Sequence, residues 1–218
     1  MTYQGVIDMR KILVCSLFAF AFLSACQNLV PFLQKPALDI GDGGILSQAP
    51  CGPPCFWGIT PGLTTKVQAL ETFKKHFDIS NCDEWPGVGS AQEIWCDPVN
   101  IQFSTSNTVD HISYSPAHPL SIDEINAKYG PPNSVTVLGW SKDGANAVTT
   151  SVTMLLYYDD IHTIAGLPLL AGTTYVVAPS TQIGGISYLA NDKWEAAKAD
   201  TQPWHGYGDY EGPYWAGP

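Results

Sequence analysis

Three groups of residues have the types and spacing for chemistry. The cysteines are Cys15, Cys26, Cys51, Cys55, Cys82 and Cys96. Cys51-Gly52-Pro53-Pro54-Cys55 holds two thiols close in sequence, much as a Cys-Gly-Pro-Cys redox pair does at the start of a helix. Here one extra residue separates the thiols, and Pro61 prevents the following Phe56-Trp57-Gly58-Ile59-Thr60 from opening a helix. A structural staple is the better reading. No histidine pair lies at ligand spacing near these cysteines, so no metal ligand or cofactor is expected.

The second group is Asp110-His111 with Asp159, Asp160 and His162, which occupy related positions in two apparent hairpins. Together they have the donors for a metal or acid–base site. Asp159-Asp160 is also what a tight turn selects, and that is the cheaper explanation, so no catalytic residue is expected. The third group is the aromatic run near the carboxy terminus, with Trp204, Tyr207, Tyr210, Tyr214 and Trp215. Such rings suit a binding surface for a protein, sugar or wall component. Alternatively they lie over the sheet and plug its apolar gap, which is favoured because an exposed apolar patch needs a partner.

The elements that must position these groups are readable from periodicity. After Pro61-Gly62-Leu63, Thr64 is a candidate N-cap, and Val67, Leu70, Phe73 and Phe77 form an apolar stripe opposite Lys66, Glu71, Lys74 and Lys75. The period then becomes two at 94–96, at Ile101 and Phe103, and at 109–114, with a turn at Ser106-Asn107. Ser121 and Glu124 form a capping box, and Gly130-Pro131-Pro132 ends that helix. Strands are expected at 135–140, 152–158, 161–165, 173–178 and 186–189, and a short helix at 193–198.

These elements predict an α+β fold, an antiparallel sheet packed by short helices. Two related helix-plus-hairpin halves are expected, with Val109 and Ile112 corresponding to Ile161 and Ile164. The expected boundaries are a leader at 1–25, a tether at 26–50, halves at 51–118 and 119–200, and the aromatic tail at 201–218. Tether residues 27–50 carry Pro31, Pro36, Gly41, Gly43 and Gly44 without any period.

At the amino terminus, Arg10 and Lys11 precede an apolar run from Ile12 to Leu23, broken by Ser16. This is an export signal pattern, too short for a hydrocarbon core that needs about 20 apolar residues. Met9 is a better initiator than Met1 on that pattern. Leu23-Ser24-Ala25-Cys26 resembles the lipobox of bacterial lipoprotein precursors. The resemblance implies a cut before Cys26, a diacylglycerol and a fatty acid such as palmitate on that cysteine, and attachment to a membrane of the cell envelope on its extracytoplasmic side. Two or more chains anchor stably because each buried methylene contributes about 0.8 kcal/mol.

Processing at that site removes Asp8, Arg10 and Lys11, moving the net charge from −10 to −11 and leaving no arginine. Nucleic acid is excluded as a partner by this acidic balance. With Cys15 removed and Cys26 lipidated, four cysteines remain, and two disulfides in one of three connectivities are expected. Cys51–Cys55 with Cys82–Cys96 is preferred, because near neighbours close loops at the lowest entropic cost.

Gly62-Leu63-Thr64 leading into Val67, the Tyr129-Gly130-Pro131-Pro132 segment and the two hairpins resemble lipoproteins of the BamE (SmpA/OmlA) type and, in duplicated form, the β-lactamase inhibitor protein fold. The Cys-Gly-Pro-Pro-Cys-Phe-Trp start also resembles that of lipoproteins from Chloroflexota-type bacteria. The expected function is a non-catalytic envelope binding or structural module, its partner an envelope protein or cell-wall component. The alternative is an envelope hydrolase or thiol-redox enzyme.

Overall fold

Strands β2 (Gln92–Cys96), β3 (Val99–Phe103) and β4 (Val109–Tyr114) form the meander that the alternating apolar residues predict. A computed structural model describes residues 38–79, 82–86, 92–141, 150–172, 174–211 and 214–215. The expected leader, Cys26 and tether residues 27–37 lie outside the described residues. β1 (Asp83–Pro86) precedes the meander; β5 (Ser134–Ser141), β6 (Thr150–Tyr158), β7 (Thr163–Gly166), β8 (Leu170–Ala171), β9 (Thr174–Val177) and β10 (Gly185–Leu189) follow. The tail adds β11 (Gln202–Pro203), β12 (Gly208–Glu211) and β13 (Tyr214–Trp215).

Among the described residues one sheet runs β1-β2-β3-β4-β10-β7-β6-β5-β11, with β8 on β6 and β13 on β5, while β9 and β12 pair separately. All these pairings are antiparallel except β13 on β5. The fold is a sheet-rich α+β arrangement with three short α-helices among the described residues.

Alternation sorts the sheet into two faces. Ile101, Ile112, Tyr188, Ala165 and Leu156 belong to the main core. A one-residue irregularity opposite Gln102 and Phe103 makes Asp110 the extra residue of β4, so both Val109 and Ile112 turn inward.

Helix α1 (Lys66–His76) starts one residue later than expected: Thr65 is the N-cap and Gln68 closes the capping box. Thr64 instead accepts a hydrogen bond from the Thr60 N–H at 2.9 Å. Ala69 and Phe73 are the buried positions, whereas Val67 is 65% exposed. Steps of three residues precess by about 60° on a helix of 3.6 residues per turn, which carries Val67 out of the stripe. Helix α2 (Ile122–Tyr129) has the expected box: the Ser121 N–H donates to Glu124 at 2.8 Å, and Gly130 ends the helix at φ +80°.

The expected tether needs correction, because the folded unit begins at Leu38. Ile40 and Ile45 are buried in the main core. Between them, Asp42 accepts hydrogen bonds from the backbone of Gly44, Leu46 and Ser47 and from the Ser47 hydroxyl. Burial raises the Asp42 pKa, but these donors outweigh it and hold the carboxyl below its ordinary value. Gly43 has φ +64°, and an added Cβ would lie 2.3 Å from the Tyr114 ring. The Tyr129 hydroxyl donates to the Ile45 carbonyl at 2.6 Å. A turn built by side chains has no period, which is why this segment read as linker.

Helix α3 (Asn191–Ala197) lies on the second face, where Trp194 packs with Tyr157 and Ile164.

Candidate functional site

The four cysteines form Cys51–Cys55 and Cys82–Cys96 disulfides. The Gly58 N–H donates to Cys51 Sγ at 3.2 Å. Cys96 is buried beside Ile94, so the second bridge ties the start of β1 to the end of β2.

The acid and histidine candidates are largely recruited into docking α3. Lys193 lies 3.6 Å from Asp110 Oδ2, the Ala190 N–H donates to the Asp110 carbonyl at 2.8 Å, and Lys198 donates to Asp159 Oδ2 at 2.7 Å. His162, in the left-handed region at φ 44°, stacks on Trp194 with ring centroids 5.3 Å apart. Asp160 is an exposed residue of the 3-10 turn Asp159–Ile161. His111 pairs in register with Gln102 and Leu189; burial lowers its pKa, partly opposed by Glu93. Among the described residues no three His, Cys, Asp or Glu side chains converge on a metal position.

The tail aromatics divide. Tyr210 is 1% exposed, donates to the Gly206 carbonyl and stacks on His205 and Trp204, so it is core rather than contact surface. Trp204 is partly buried against the main core. Tyr207 is exposed, but its hydroxyl bonds Asn126 and Asp123, clamping the tail to α2. Tyr214 and Trp215 form β13 beside the end of β5, with β11 beside its start, so the tail covers an edge strand. The side chains of Tyr214 and Trp215 lie outside the described residues.

A concave region that periodicity did not single out lies on the second face. In register across β2, β3, β4, β10 and β7 run Trp95, Asn100, Ser113, Ser187 and Ile164. Beside this row Gly185 faces Gly166, which faces Leu155. These residues line a cleft of about 280 Å³. Leu155 and Ile164 are shared between this cleft and the apolar cluster that holds Tyr157 and Trp194. Asn100, 3% exposed, is oriented by its amide hydrogen bond to Glu93. The available signal was Trp95, an outward position between the inward Ile94 and Cys96.

Among the described residues no helix is long and apolar enough to cross a membrane. Comparison with known proteins finds no matching family model, curated protein or solved structure.

Proposed function

We propose that the chain is a lipid-anchored binding module of a bacterial envelope, held by Cys26 and using the second face of its sheet to contact an envelope or wall component. The cleft below Trp95 is the observation that carries the binding part of this reading. The export pattern and Leu23-Ser24-Ala25-Cys26 support the address. A non-catalytic role is supported by the engagement of Asp110 and Asp159 with lysines and of His162 with Trp194.

Two related halves belong to the same reading. Both α1 and α2 open with capping boxes and lead into antiparallel strands. The turns before β4 and β7 each contain a left-handed residue, Asn107 and His162. These parallels support duplication and the likeness to BamE-type and β-lactamase inhibitor protein-like modules.

A photoreactive amino acid at Gln102, on the second face, is expected to capture an envelope component in cells. The same group at Glu71, exposed on α1, is not. Equal capture from both positions, or none from Gln102, would refute binding through this face.

A further inference from the structure

We infer that the cleft on the second face takes a neutral, hydroxyl-rich ligand, a sugar ring within a glycan. This rests on the binding reading above and adds the ligand class. Trp95 is 49% exposed at mid-strand, between buried Ile94 and Cys96. An indole at the rim of a cleft offers a flat apolar face to the C–H side of a pyranose.

The floor supplies the polar half of the match. Asn100 is nearly fully buried and held by Glu93, so its amide is preorganised. Ser113 and Ser187 face each other across β4 and β10, and among the described residues neither hydroxyl has a hydrogen-bond partner in the protein. A hydroxyl both donates and accepts, which suits a polyol. Gly166 and Gly185 leave the adjacent floor without side chains, admitting a ring close to the backbone.

Charge selects among hydroxyl-rich ligands. The cleft lining contains Asp97 and, among the described residues, no lysine, arginine or histidine. Phosphorylated or sulfated sugars would meet a carboxylate without a compensating cation. At about 280 Å³ the cleft is at the small end of ligand sites, which fits one ring with its neighbours extending into solvent.

The test uses the full lipidated chain in a detergent without a sugar headgroup, titrated with chitotetraose and maltotetraose by calorimetry and tryptophan fluorescence. At least one tetrasaccharide is expected to saturate the protein. Trp95→Ala should weaken it about tenfold or more, with Trp95→Phe retaining part of the affinity. Gly185→Ala should also weaken binding without lowering the melting temperature, since its added Cβ meets nothing closer than 3.5 Å.

No saturation by either sugar at millimolar concentration, or affinity unchanged in both Trp95→Ala and Gly185→Ala, overturns the inference. If sugars fail while Gln102 still captures an envelope protein, the glycan assignment falls and the binding reading survives. Failure of both removes both.

Discussion

Lys198, just beyond the end of α3, donates to Asp159 at 2.7 Å and fastens the helix to the turn between β6 and β7. Trp194 between Lys193 and Lys198 buries its ring against Tyr157. Trp194→Ala should therefore cost about 3–5 kcal/mol, and Lys198→Ala about 1 kcal/mol because that pair is partly exposed. Urea unfolding checks both. A larger loss from Lys198→Ala than from Trp194→Ala would show that the pair rather than the ring anchors α3.

The bridges should differ in value. Cys82–Cys96 spans 14 positions and Cys51–Cys55 spans 4. A loop near 15 residues restricts the unfolded chain by about 3 kcal/mol, so the Cys82→Ser, Cys96→Ser double variant should be the less stable one. Thiol titration of the denatured protein should find none of Cys51, Cys55, Cys82 and Cys96 free. Two free thiols would revive redox chemistry.

Deleting residues 204–218 should lower the melting temperature, because it removes buried Tyr210 and the cover on β5. A loss of about 3 kcal/mol corresponds to roughly 6–12 °C in a domain of this size. An unchanged transition with lost ligand capture would instead make the tail a contact surface.

Acid should destabilise the fold in two windows. The folded pKa of His111 is lowered, so the unfolded chain takes up its proton first; stability is present above about pH 6.5 and falls below it. Asp42 is also lowered, and its contribution is present above about pH 3.8 and lost as pH falls further. His111→Gln should flatten the first slope and Asp42→Asn the second, measured by urea midpoints across pH. A variant that leaves its slope unchanged contradicts the assignment.

Local rules made much of the scaffold legible: the Ser121–Glu124 box, the Gly130 stop and the alternation through β2 to β4 each depend on neighbours in sequence. The N-terminal turn did not show because Asp42 builds it through backbone donors rather than through a repeating apolar pattern. The cleft was harder to see. Trp95, Ser113 and Ser187 lie on three strands, and only the placement of β10 between β4 and β7 brings those residues into one row. Asp110 and His162 looked like chemistry because their partners, Lys193 and Trp194, come from a helix whose docking position short-range periodicity does not encode.

The most direct measurement is the intact mass of the chain purified from envelopes of producing cells. It should begin at Cys26 and carry a diacylglycerol and acyl adduct, with four hydrogens lost to two disulfides. A protein beginning at Cys26 without lipid mass, or one cleaved elsewhere, would contradict the account.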